Sequence, residues 1–442
     1  MNREKSVFIL VGAQLVFPMV SSLLLSFSDL QVVYINYIFL GICAIFLTVI
    51  MPKSPGKLMT LFGRRAAALA VLGLLILLFD RLVRGPGTMF AIARSYGLLS
   101  AALALFALSK LPKVSGKRVF DWLTIFCAVV FLIQLGVSIR QSVSGVSHDY
   151  LSNSYDWNGM DKRFKSSDQQ IYGPADVEDR LQLKVFAANV NVPFQIGFDG
   201  MLGASNHWGT QLPFYLLIFL YRITEAKPRR LFFLICSFLI IFAAFFNTTR
   251  FSILAVVVTL AVFGNYVMPG LRALKGIVLA AVLIFLYWYG VTLARAAAEY
   301  VSKTDTMTLR LQTWSVFGRF IFARDLLSIL VGSTFDGLYR IRQLLQWPDT
   351  ENEVLEILFD YGLVFLIYAF ANVVFLVKKM RRMGHKESFF TKLILFDVFA
   401  VTIWSNVLFR YSTMIPLSIF TYRMLLSVYD NVSPTMQATS AP

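Results

Sequence analysis

LFFLICSFLIIFAAFFNTTRFSILAVVVTLAVFGNYVM, Leu231 to Met268, holds two apolar runs separated by a break of four polar residues. Each run approaches the roughly 20 residues that carry a helix across a hydrocarbon core of about 30 Å. The break is too short for anything but a turn at the membrane surface, and it places Arg250 there, beside Asn247, Thr248 and Thr249. Such residues can cap the following helix and present backbone amides to an anion.

The same pattern recurs along the chain. Of 442 residues, 57% are hydrophobic and 15% charged, whereas soluble domains carry about 25% charged residues. The expectation is an all-α polytopic integral membrane protein with about twelve transmembrane helices. The predicted spans are Ser6–Ser26, Val32–Met51, Ala66–Val83, Met89–Leu108, Val119–Ile139, Trp208–Ile223, Leu231–Phe246, Ser252–Met268, Gly276–Ala294, Val354–Val377, Thr391–Leu408 and Ser412–Tyr429. The first is longer and less flanked by charge than a cleaved signal peptide. Cys43, Cys127 and Cys236 all fall within predicted spans, which argues against a disulfide framework or a cysteine metal site.

The net charge of +16 is spread over alternate short connections: Lys53 to Arg65, Lys110 to Arg118, Lys227 to Arg230, Arg272 to Lys275 and Lys378 to Lys386. Short-loop Lys and Arg mark the cytoplasmic side, so both termini are expected inside. No single basic face forms, and nucleic acid is not an expected partner. The same rule puts two long segments outside. The divisions are residues 1–139 with five spans, 140–207 as the first large external loop, 208–294 with four spans, 295–353 as the second loop, and 354–442 with three spans and a tail. In the second loop Leu311, Trp314, Phe317 and Ile321 recur at helical spacing, as in a short amphipathic helix lying on the membrane. The stretch GLYRIRQLLQW reads as another short helix. Arg outnumbers Lys in these outer segments, and the planar guanidinium grips phosphate at two points. Interfacial snorkelling of Arg is the alternative.

The carboxylates of PDTENEVLEILFDYGLVFL, Pro348 to Leu366, run straight into an apolar helix. Acids favour a helix N-terminus through the macrodipole, which suffices for Glu353 and Glu356. Glu351 lies further out, where water reaches, with Asp349 and Glu353 as like charges beside it that can raise its pKa.

With these pieces placed, the chain resembles the O-antigen polymerase/ligase superfamily over roughly Gly203 to Val377. The resemblance rests on SNHWG (Ser205–Gly209), NTTR (Asn247–Arg250), RLQTW (Arg310–Trp314), and the Glu351-Asn352 pair followed after nine residues by Gly362. Glu351 stands where ligases of the family carry His, and Phe365 replaces the last residue of their motif; the paired Arg-ten-residues-Gly motifs of some polymerases are absent. The missing ligase His favours a polymerase-like enzyme over an O-antigen ligase, and the missing polymerase motifs make the chain a close copy of neither type.

The resemblance implies a GT-C-like fold. It also implies glycan transfer from an undecaprenyl-pyrophosphate carrier to an acceptor sugar hydroxyl, at the periplasmic face of a bacterial inner membrane. Arg250, Arg310 and Glu351 are the expected catalytic residues, the arginines on the pyrophosphate and Glu351 as base. Asn206, His207, Asn352, Arg410 and Trp314 are the expected substrate-binding residues, with His207 the base if Glu351 is not. No metal and no cofactor is called for. Expected partners are the lipid-linked donor and acceptor, membrane lipid and a chain-length-regulating membrane co-polymerase. The rival classes are a polytopic transporter, and a non-catalytic partner in a polysaccharide export complex. Transporters place charge at mid-bilayer, and the main intramembrane charges here, Asp397 and Arg94, read as lying near span ends.

Overall fold

The computed structural model describes residues 3–26, 32–50, 59–79, 82, 89–144, 208–225, 229–246, 250–267, 314–315, 318–319, 323, 326–332, 352–404 and 411–430. Among these residues the structure is helical and holds no strand. The helices are α1 (Arg3–Ser26), α2 (Val32–Ile50), α3 (Met59–Phe79), α4 (Met89–Ser109), α5 (Lys113–Ser144), α6 (Leu212–Glu225), α7 (Arg230–Phe246), α8 (Arg250–Val267), α9 (Leu326–Val331), α10 (Glu353–Asp360), α11 (Gly362–Met380), α12 (His385–Trp404) and α13 (Tyr411–Asp430). Eleven of the predicted apolar runs coincide with helices, while Gly276–Ala294 lies outside the described residues. Two helices, α5 over Lys113–Ile139 and α11 over Gly362–Met380, are long and apolar enough to cross a membrane.

One predicted span is corrected. Val354–Val377 is not a single helix but two, α10 and α11, with Tyr361 ending the first and preceding the second. Gly362 has φ of +74°, a backbone that L side chains rarely adopt. The Leu330 carbonyl and the Gly332 amide press against the position a Cβ would take. The joint therefore exists because α9 returns from the second long segment and docks where only glycine fits.

The bundle centres on α6, whose side chains from Leu212 to Arg222 are all buried. A helix apolar on every side needs neighbours on every side, and α6 finds them in Phe131 of α5, Phe233 of α7, Phe390 of α12 and Phe420 of α13. Other helices keep wide apolar faces open. Leu231, Leu234, Ile235 and Phe238 of α7 are about half exposed or more, as are Ile38, Ile42 and Ile45 of α2. Monomeric soluble proteins rarely leave such stripes uncovered.

Antiparallel packing sorts the helix ends. Glu4 of α1 meets Arg118 of α5, Asp121 of α5 meets Arg222 of α6, and Tyr266 of α8 stacks on Phe389 of α12. Arg65 of α3 meets Asn372 of α11. The described parts of the Lys- and Arg-rich connections thus gather at one end of the bundle, together with the start of α1 and the end of α13.

Candidate functional site

The opposite end is where the helices carrying the candidate residues begin. Phe214 of α6, Ala255 of α8 and Val401 of α12 form one buried cluster, with Leu417 of α13 against it. Ile357, Tyr361 and Phe365 of the α10–α11 joint pack with Met414 of α13 and with Ile76 and Leu98 of α3 and α4. Four starts therefore share one end: α6, preceded by Asn206 and His207; α8, opened by Arg250; α10, preceded by Glu351; and α13, preceded by Arg410.

The side chains themselves are placed unequally. Glu351, Arg310, Asn206, His207 and Arg410 lie outside the described residues, as does the side chain of Arg250, whose backbone opens α8. Trp314 is half-buried in a short helical piece, and Gly318 and Arg319 form another, with the Ala323 amide bonded to the Arg319 carbonyl at 3.0 Å. The rest of the expected amphipathic helix, and GLYRIRQLLQW, lie outside the described residues.

Asn352 is fully described. It is the N-cap of α10, extended at φ −138° and ψ 107°, and its Oδ1 accepts from the Leu355 amide at 3.1 Å. Asn suits this position because its short side chain reaches an amide that the helix leaves unpaired. The cap fixes the chain so that Glu351 immediately precedes a helix N-terminus, whose partial positive charge favours a carboxylate. Glu356, one turn further, is buried rather than solvated. The macrodipole account given for it from sequence is therefore incomplete, since burial demands partners that a surface acid does not need.

Three of the four starts also carry an unsatisfied group. Trp208 Nε1, next to His207, is buried without a hydrogen-bond partner; so is Ser252 Oγ, two residues after Arg250, and Thr413 Oγ1, three after Arg410. Buried polar groups are normally paired, and leaving one unpaired costs about 1–3 kcal/mol. Sequence reasoning missed all three, because Trp, Ser and Thr at helix starts have ordinary explanations as anchors and caps.

Asp397 was also misread. It lies well inside α12, wholly buried, with Oδ1 accepting from Thr259 of α8 at 3.2 Å and Oδ2 unpaired. The opening chosen for that span in the sequence was too late, since α12 begins at His385.

At the basic end, Glu225 is the hub. Its Oε1 accepts from Arg423 Nη2 at 2.5 Å, Tyr221 Oη at 2.7 Å and Lys386 Nζ at 3.2 Å. Arg222 Nη1 donates to Asp121 Oδ1 at 2.5 Å and to Glu225 Oε2 at 3.4 Å. Burial pushes the Glu225 carboxyl up, but the Arg423 guanidinium, the Tyr221 hydroxyl and Lys386 more than offset this and hold it below its ordinary value. The two guanidiniums lie over Phe233 and over Phe120 and Tyr221. This network joins α5, α6, α12 and α13; the sequence reading places Lys386 in a basic connection and singles out none of the other members.

Set beside family models and curated proteins, the sequence matches none.

Proposed function

We propose that the protein is a polytopic bacterial inner-membrane glycosyltransferase with a GT-C-like fold, a polymerase of envelope polysaccharide. It would draw glycan from an undecaprenyl-pyrophosphate carrier and pass it to an acceptor sugar hydroxyl at the periplasmic face. The basic end of the bundle is then cytoplasmic, with both termini. The open apolar stripes on α2 and α7, and the two long apolar helices, support the membrane placement.

The observation that carries the reading is the shared end. Buried, unpaired Trp208, Ser252 and Thr413 stand beside His207, Arg250 and Arg410, next to the capped helix that Glu351 precedes. Spare donors there suit a ligand rich in oxygen, such as a diphosphate bearing a sugar. The acceptor hydroxyl attacks the anomeric carbon, Glu351 takes its proton, and the bond to the pyrophosphate oxygen breaks. Arg250 and Arg310 meet the charge developing on that oxygen; preorganised donors of this kind are commonly the largest catalytic term. Asn206, His207, Arg410 and Trp314 hold the sugars and diphosphate, while Asn352 fixes the approach to the helix.

The test is to replace Arg250 and Glu351 separately with Ala and resolve the envelope polysaccharide by length on gels. Loss of long polymer from proteins that still insert normally is expected. Full-length polymer from both variants overturns the site. An O-antigen ligase differs only in its acceptor, and a product attached to lipid A-core would identify it.

Asp397 favours a second reading. A buried carboxylate with one free oxygen, inside a helix expected to cross the membrane, is a familiar element of ion-coupled transport. Substrate uptake into vesicles with no glycan product, abolished by Asp397→Asn, would establish that reading over the first.

A further inference from the structure

Where α3 starts beside the later half of α11, two cations share one ring. The Arg65 guanidinium carbon lies 3.6 Å from the centre of Phe375, and Lys379 Nζ lies 5.5 Å from it. Arg65 Nη1 donates to Asn372 Oδ1 at 2.5 Å. Lys379 is close enough to Arg382 and to Arg65 to be repelled by both. Among the described residues, no carboxylate pairs with Arg65 or Lys379; the ion pairs involve Glu4, Asp121 and Glu225 instead.

The same face of α11 carries a third feature. Tyr368, Asn372, Phe375 and Lys379 follow one another at three- and four-residue steps, which aligns them along one side of a helix. Tyr368 Oη is buried with no hydrogen-bond partner and lies within electrostatic reach of Arg65. Beyond this cluster both helices keep apolar side chains in the open. Leu74, Leu75 and Leu78 of α3, and Val364, Ile367 and Phe370 of α11, are all more than half exposed.

Two uncompensated cations and a spare buried hydroxyl call for an anion with several acceptor oxygens. Open apolar faces on the same two helices call for hydrocarbon. One molecule supplies both. We propose that the side-chain cluster of Arg65, Tyr368 and Lys379 binds the phosphate of an anionic phospholipid, its acyl chains lying along α3 and α11. Arg65 and Lys379 neutralise the phosphate, and Tyr368 donates to one of its oxygens. Basic pockets between helices at the cytoplasmic side of a bilayer are suited to such headgroups. The inference rests on the membrane placement proposed above, and it is independent of glycan transfer.

The full chain, purified in a neutral detergent, would be titrated with phosphatidylglycerol, phosphatidylcholine and inorganic phosphate. Binding is read by native mass spectrometry and by thermal stability. Phosphatidylglycerol is expected to be retained and to raise the melting temperature, while phosphatidylcholine and inorganic phosphate do neither. Arg65→Gln and Lys379→Gln each weaken phosphatidylglycerol binding about tenfold, the effect of losing one charge-assisted hydrogen bond. Tyr368→Phe weakens it by a smaller factor and does not lower the stability of the lipid-free protein, since removing a buried hydroxyl with no partner relieves a cost.

Undiminished binding by both Lys379→Gln and Tyr368→Phe overturns the proposal, even if Arg65→Gln fails to fold. Equal binding of phosphatidylcholine, or an equal effect of inorganic phosphate alone, overturns the assignment to an anionic lipid. Release of the chain from membranes by alkaline carbonate defeats the membrane placement itself. A chain that stays in the bilayer yet ignores phosphatidylglycerol defeats only this inference.

Discussion

At the basic end of the bundle, Glu225 gathers Arg423, Tyr221 and Lys386, while Asp121 holds Arg222. At the opposite end, Trp208, Ser252 and Thr413 are just as buried, yet their polar atoms meet nothing. Both ends place polar groups among apolar helices, but the basic end pairs most of its charges internally, with Arg222 Nε and Arg423 Nη1 left over. Internal pairing ties helix ends into a fixed arrangement, because breaking a buried pair leaves an uncompensated charge. Unpaired donors add nothing to such an arrangement. The contrast separates an end held by internal ion pairs from one whose helix starts carry unpaired polar groups.

Substitutions at the two ends should therefore fail in different ways. The largest effect belongs to Glu225→Ala, which strips the partner from Arg423 and Lys386. A loss of about 3 kcal/mol is expected, read as a fall in melting temperature in detergent. A variant as stable as the parent would mean that the network is decorative. Arg250→Lys comes next, with stability kept and polymer formation down by about 100-fold, because the ammonium cannot reproduce two-point phosphate contact. Stability loss without an activity defect would erase the distinction between the ends.

Gly362→Ala is expected to cost about 2 kcal/mol, from the left-handed backbone together with pressure on Leu330 and Gly332. Limited proteolysis between α10 and α11 should rise with it. Asn352→Ala removes one capping bond and should cost about 1 kcal/mol, whereas Asn352→Asp should keep the cap. Acidification gives the mildest change. Because Glu225 sits below its ordinary value when folded, its contribution is full above the unfolded value of about 4.3 and is lost only as pH falls through the folded one. Melting temperature should thus be insensitive to this group between about pH 7 and 5 and should drop below that, and Glu225→Gln should flatten the drop.

Much of the helical framework was legible in the chain. Apolar runs such as Leu231–Phe246 and Val32–Met51 match helices to within a residue or two, because hydrocarbon-length runs leave the backbone little choice but to bond internally. The alternating Lys and Arg clusters likewise anticipated which helix ends lie together. The candidate site was less readable. The Glu351-Asn352 pair drew attention to the start of α10, yet the role of Asn352 as a cap appears only once Leu355 is seen bonded to it. Asp360, Tyr361 and Gly362 looked like the interior of a span, and the break there was missed.

What the sequence by itself determined is the list of apolar helices and the side on which the basic connections gather. These follow from local composition and spacing, which act over a few residues. Only the tertiary structure decided that Arg65 meets Asn372, that Asp397 meets Thr259, and that Glu225 collects charges from distant helices. It alone set the Gly362 joint, which depends on α9 arriving from elsewhere in the chain. Hydrogen bonds and ion pairs act over a few ångströms whatever the sequence separation, so their partners are chosen by how helices pack.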